Sequence, residues 1–256
     1  MNIKGYMRVI LSMVELEIRR IMHDRTELYV RAVQPMLWLI IFGPVIGTLK
    51  VIPNIDIPYT DYIMPGVLVQ SATTVAIFFG LVIIWERESG ILKKLLASPS
   101  PGFAVVLGRS MAAGTRALFQ ALLIIPFSAL IGVSIFPNPL YLIFALILVF
   151  IASIGFASLS ILIASILKTR ERFMGLGQLI IMPMFFASNA LYPISDMPAL
   201  LQVFANVNPM TYIVDALRGL LITGNLSQLA LDIVAILLFD AILLLLASWQ
   251  FKKIIE

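Results

Sequence analysis

The sequence predicts an all-α, polytopic membrane protein with six transmembrane helices. Two observations carry this reading. Hydrophobic residues make up 61% of the chain and charged residues only 12%, against roughly 45–50% and 25% in soluble domains. A chain of 256 residues cannot hide that much apolar surface in a core of its own. The apolar residues also gather into six stretches near the ~20 residues that a spanning helix requires. Lipid forces that length and that form, because it offers backbone groups no hydrogen-bond partner outside the helix.

Residues 1–29 read as an interfacial amphipathic helix. Lys4, Arg8, Ser12, Glu15 and Arg19 recur at steps of four and three, while Ile3, Met7, Ile10, Val14, Ile18 and Ile21 line the opposite face. Such a helix lies along the inner interface with its polar face to the cytoplasm. It reads either as a plain anchor or as a surface that also touches a cytosolic partner. The spans follow at 32–49, 63–85, 103–135, 140–167, 173–191 and 229–249. Pro35, Gly43, Pro44 and Gly47 predict a kink in the first. Arg109 and Arg116, seven apart on one face near the start of the third, are expected to snorkel to the headgroups.

Between the second and third spans, residues 86–98 are expected to form a short amphipathic helix. Ile91, Leu92, Leu95 and Leu96 make one apolar stripe, Lys93 and Lys94 point away from it, Gly90 permits a turn and Pro99 and Pro101 end it. It reads equally as an interfacial connector or as a stiff contact that transmits force. Residues 192–225 are apolar, but their helical pieces are too short to cross, as in a re-entrant or interfacial segment. One piece, near 198–205, has Ser195 and Asp196 as possible caps. The other, near 211–221, follows Asn208-Pro209, a cap and first-turn pair. Asp215 and Arg218 lie three apart on it and can pair.

Orientation comes from the basic residues. With the N-terminus inside, the inner segments hold Lys4, Arg8, Arg19, Arg20, Arg25, Arg31, Arg87, Lys93, Lys94, Arg109, Arg116, Lys168, Arg170, Arg172, Lys252 and Lys253. Only Lys50 and Arg218 of the 18 basic residues fall elsewhere. This asymmetry places both termini in the cytoplasm and the chain in the cell membrane. It also accounts for the net charge of +4 without any nucleic acid partner.

Several chemistries are excluded. There is no cysteine and a single histidine, His23, so a zinc or iron site cannot be assembled. No glycine stands at the right distance before Lys-Ser or Lys-Thr, so there is no phosphate-binding loop. No catalytic residue, cofactor or metal is expected in this chain. One intramembrane charge stands out. Asp240 lies near the centre of 229–249, where a charge costs about 2.5–3.5 kcal/mol on insertion scales. It reads as a proton or cation site, or as a structural carboxyl hydrogen-bonded to a side chain such as Gln70, Ser71, Thr73, Thr74, Gln120 or Gln178. The structural role is the expectation.

Three motifs then bear a resemblance. Glu86-Arg87-Glu88-Ser89-Gly90-Ile91-Leu92 is similar to the coupling-helix motif of type-2 ABC exporter permeases. Asn208-Pro209-Met210-Thr211-Tyr212, followed by Asp215 and Leu217-Arg218, is similar to a pattern near the end of those permeases. Tyr62-Ile63-Met64-Pro65-Gly66 resembles their opening of span two. The order of elements resembles the family over the whole chain, closest to daunorubicin-resistance and nodulation-type permeases. The resemblance implies a permease subunit working as a homodimer with two copies of a separate ATP-binding cassette ATPase, which would bind the ATP and Mg. It implies that Glu86, Arg87, Glu88, Gly90, Leu92, Lys93 and Leu96 meet that ATPase, and that Asn208, Pro209, Tyr212, Asp215 and Arg218 form the re-entrant motif. An amphipathic drug, lipid or glycan-type substrate would leave the cytoplasm. The alternatives are a stand-alone secondary transporter using Asp240, or an intramembrane enzyme.

Overall fold

The computed structural model describes residues 3–49, 52, 55–90, 102–167 and 169–252, and all regular structure among them is helical. An amphipathic helix α1 (Ile3–His23) leads into α2 (Thr26–Leu37) and α3 (Gly43–Leu49), which are joined by a π turn at Trp38–Phe42. Next come α4 (Tyr59–Phe78), α5 (Gly80–Glu88), α6 (Gly102–Leu130), α7 (Pro139–Ile166) and α8 (Arg170–Phe186). Short helices α9 (Ala199–Val207) and α10 (Pro209–Arg218) precede a second π turn, Gly219–Thr223, and the chain closes on α11 (Leu229–Lys252).

Among the described residues, five helical stretches are long and apolar enough to cross a membrane: Thr26–Leu49, Tyr59–Glu88, Gly102–Leu130, Pro139–Ile166 and Leu229–Phe251. The expected span at 173–191 differs. Its helix is α8, 17 residues that begin on Arg170-Glu171-Arg172 and end at Phe186, because Ala187 leaves helical geometry at φ −97°, ψ 38°. The third span also ends earlier than expected, at Leu130, since Gly132 turns the chain out at φ +95°. The first span begins earlier, at Thr26, so the amphipathic helix stops at His23 rather than at residue 29.

Local chemistry explains these boundaries. The kink expected in the first span is the π turn before Pro44. Proline cannot donate to the carbonyl four residues back and its ring crowds that carbonyl, so the preceding turn widens and Gly43 N–H reaches Trp38 O instead. Asn138 caps α7, its side chain accepting from Leu140 N at 3.0 Å with Pro139 at the first helical position. α9 starts after Pro198 with no side-chain cap, so neither Ser195 nor Asp196 fills that role.

The core gathers around α4, which is buried nearly all round, between α6, α7, α8 and α10. Here α7 is the central strut, packed on α6 along one side and on α11 along the other. On α1, Ile10 and Ile21 pack inward with Glu17 between them, against α6, while Met7, Leu11, Ile18 and Met22 are exposed and suit lipid. Asp240 is buried, and among the described residues no side chain hydrogen-bonds to it. Its carboxyl rests on the Gly155 backbone of α7.

A Cβ at Gly155 would collide with that carboxyl and with Phe239. Gly155→Val should therefore force α7 and α11 apart and cost about 1–3 kcal/mol, the range of overpacking. Gly175→Val, at a site with open space around it, serves as the control for the thermal unfolding midpoint in detergent. Equal midpoints for the two variants would contradict this packing.

Candidate coupling end and the Asn208 joint

Successive side chains on a helix point about 100° apart, so three consecutive residues can face three neighbours. At the end of α5 they do. Glu86 turns inward to a buried ion pair with Arg109 of α6, with 13% and 8% of the two side chains exposed. Arg87 reaches the end of α7, donating to Leu167 O at 3.0 Å, Ala164 O at 3.0 Å and Ser165 O at 3.3 Å. Those carbonyls sit at a helix C-terminus and lack intrahelical donors, so a cation is the natural cap. Glu88, half exposed, pairs with Arg170 at the start of α8. One triplet thus fastens α5 to α6, α7 and α8.

Gly90 follows with φ +74°, its N–H on Arg87 O at 3.2 Å. A left-handed residue just past a helix end is where glycine costs least, and here it releases the chain from α5. Leu92, Lys93 and Leu96, the other residues singled out for coupling, lie outside the described residues, as does most of the 86–98 helix.

Arg109 and Arg116 do not snorkel. Arg116 donates to Glu17 of α1 at 2.6 Å and to Glu27 of α2 at 2.8 Å, and its side chain is 15% exposed. Both arginines are retained inside because acids on other helices meet them. Nothing near them in sequence announces this, as the partners lie 23, 99 and 89 residues away.

The second motif builds a joint at the opposite end of α4. Asn208 Oδ1 accepts from Met210 N at 3.0 Å and caps α10, with Pro209 at its first position. The same amide donates to Met184 O at 2.6 Å and Ala187 O at 2.9 Å, carbonyls orphaned where α8 ends. One side chain therefore closes two helices. Tyr212 Oη donates to Asn206 O at 2.6 Å. Asp215 pairs with Arg218 at 3.2 Å and accepts from Asn189. Burial raises the Asp215 carboxyl above its ordinary range, and Arg218 and then Asn189 oppose it. Arg218 continues to Asn189 O at 2.7 Å and Tyr62 O at 3.3 Å, with its guanidinium 4.0 Å from the Tyr62 ring centre. Asn189 and Tyr62 were not singled out as partners here. Only the Tyr59 and Tyr62 spacing on one face of α4 hints that this end is polar, with Tyr59 Oη on Leu191 O at 3.0 Å.

A match to the ABC-2 type transporter family model runs from residue 8 to residue 222, across both polar ends. The chain belongs to that family. Among its relatives is the Cyanophora paradoxa protein named transport permease ycf38, 29% identical over 238 residues, which is 87% of this chain and 80% of that one. Nodulation protein J of Rhizobium leguminosarum bv. viciae is 24% identical over 222 residues, covering 86% and 84%. The Escherichia coli (strain K12) protein named for multidrug ABC transporter permease activity, YbhR, is 28% identical over 185 residues, covering 71% of this chain and 48% of its own length. The ABC-2 permease is the membrane-embedded transport subunit, not a catalytic enzyme.

Within this permease, Glu86 and Arg109 form a pair whose breaking leaves a buried charge. Arg109→Met should cost about 3–5 kcal/mol. The double variant Glu86→Gln with Arg109→Met should recover most of that, because neither partner is then left charged and alone. A thermal unfolding cycle over the four proteins measures the coupling, and additive losses would exclude a working pair.

Proposed function

We propose that the chain is the membrane half of an ATP-driven exporter, in which two copies carry an amphipathic drug, lipid or glycan-type substrate out of the cytoplasm. Two separate ATP-binding cassette subunits would supply the energy and bind ATP and Mg. The observation that supports this best is the Glu86-Arg87-Glu88 triplet. A push on the segment after Gly90 would reach α6, α7 and α8 together, as a motor contact requires. Glu86 and Arg87 then act as positioning residues that hold the segment, and the half-exposed Glu88 is the member placed to meet a partner.

Six crossings fit this scheme better than five. Seventeen residues in α8 reach about 25 Å, near the lower limit for a span, and the buried turn of Ser188, Asn189, Ala190 and Leu191 extends it. An even count returns both termini to the cytoplasmic side, where the basic residues belong. α9 and α10 then form the re-entrant segment on the outer side. Pairing two copies would give a translocation path between them, since one bundle has a filled core.

Glu88→Lys, in protein reconstituted with its ATPase, should lower substrate-coupled ATP hydrolysis by about tenfold, the scale of one lost charged contact of roughly 1.4 kcal/mol. Membrane insertion and the unfolding midpoint should stay near wild type. Full coupling in that variant would remove Glu88 from the contact.

A stand-alone proton-driven carrier working through Asp240 is the competing reading, favoured by the burial of that carboxyl in a membrane helix. Asp240→Asn separates the two. The amide has the same shape and fits against Gly155, so ATP-driven transport should remain within about twofold. Loss of transport with folding and ATPase docking intact would give Asp240 a proton-handling role.

A further inference from the structure

The end of the bundle away from Glu86 holds a polar chamber and an apolar groove that the transport scheme leaves unused. The chamber, about 220 Å³, lies between α10, the π turn after it and the start of α11, lined by Asp215, Arg218, Asn225, Gln228 and Asp232 among others. The groove, about 300 Å³, runs between α7 and α11, lined by Phe144, Ile147, Ile151, Ile233 and Ile236 among others. Leu229 borders both.

The charges in the chamber do not balance. Asp215 is engaged by Arg218 and Asn189, and Arg218 is committed to Asp215 and two backbone carbonyls. Asp232 is 3% exposed and borders the chamber, and it makes no side-chain hydrogen bond or ion pair among the described residues. With Arg218 and Asp215 cancelling, one negative charge remains in excess. A buried carboxylate without a counterion is strongly disfavoured, and the chamber has the volume to admit one.

The helix around Asp232 says what kind. Leu229, Asp232, Ile233 and Ile236 fall within about 100° on one face of α11, so a carboxylate in the chamber continues directly into branched aliphatics along the groove. From Leu229 to Leu237 the helix rises about 12 Å, enough for a substantial part of an acyl chain. We propose that chamber and groove together hold one membrane lipid with a primary-amine headgroup, its ammonium on Asp232 and an acyl chain between α7 and α11. A primary ammonium donates hydrogen bonds to a carboxylate and to the amide oxygens of Asn225 and Gln228. A trimethylammonium has no N–H to donate, and an anionic headgroup is repelled. The proposal needs only that the chain is embedded in a bilayer, so it stands or falls separately from the exporter reading.

The test is native mass spectrometry of the delipidated full chain with equal amounts of phosphatidylethanolamine, phosphatidylcholine and phosphatidylglycerol. Wild type should retain phosphatidylethanolamine about tenfold over the other two, the scale of one charged hydrogen bond. Asp232→Asn should erase that preference at an unchanged unfolding midpoint, and Asp232→Glu should keep part of it. Ile233→Trp, which fills the groove from its exposed wall, should reduce retention of all three. If Asp232→Asn misfolds, the Asp232→Glu and Ile233→Trp measurements still decide. Equal retention of the three lipids by wild type would overturn the proposal, as would undiminished preference in Asp232→Asn. Groove cysteines that cross-link to a second copy in lipid-free protein would assign the groove to a dimer contact and overturn it too.

Discussion

The hydrocarbon of a bilayer supplies neither counterions nor hydrogen-bond donors, so a charge carried into this bundle beyond the reach of headgroups must be met from within the chain. Four arginines face that constraint, and each meets it on a different element. Arg109 takes Glu86, Arg116 takes Glu17 and Glu27, Arg87 takes the carbonyls that end α7, and Arg218 takes Asp215. A buried pair adds little net stability over a well-packed apolar one, but breaking it is costly. Such pairs therefore act as selectors of arrangement. Because α6 carries two of the arginines, two turns apart, α5 is fixed to it at one level and α1 and α2 at the next.

The amphipathic helix α1 is accordingly more than a float on the membrane surface. Glu17 is almost fully buried between Ile10 and Ile21, and Gly108 lets the α1 backbone approach α6 closely, since a Cβ there would meet Met13 and Ile10. Its outward apolar residues remain available to lipid. The helix thus has two apolar faces with different partners, and the seam between them is marked by a charge whose counterion is on α6.

Hydropathy alone located the five long spans, because burial in lipid is a local, additive property of the sequence. The Asp215–Arg218 contact was legible for the same reason, three residues being one helical step. The ends were harder. α8 stops at Phe186 partly because Asn208, more than 20 residues downstream, takes the carbonyls of Met184 and Ala187, and no window of local sequence contains that bond. Arg109 and Arg116 were expected at the headgroups because their acids are distant in sequence. Burial of Asp240 followed from its place in an apolar run, whereas its seat on Gly155 depends on the register of α7 against α11. The 86–98 helix was legible as a pattern, but only Glu86 to Gly90 of it is described.

The two ends of the molecule are held by different sets of bonds. Around Glu86 one tie, to Arg109, is ionic and buried, and breaking it costs about 3–5 kcal/mol. Around Asn208 neutral hydrogen bonds, each worth about 1 kcal/mol net, close α8 and α10, and the Asp215–Arg218 pair ties α10 to Asn189 and Tyr62. Apolar side chains on α9, including Leu200, Phe204 and Val207, are exposed. The tie at α5 thus joins three helices that lie apart in sequence, whereas at the other end α10 is buried against α4 and α9 is the exposed piece.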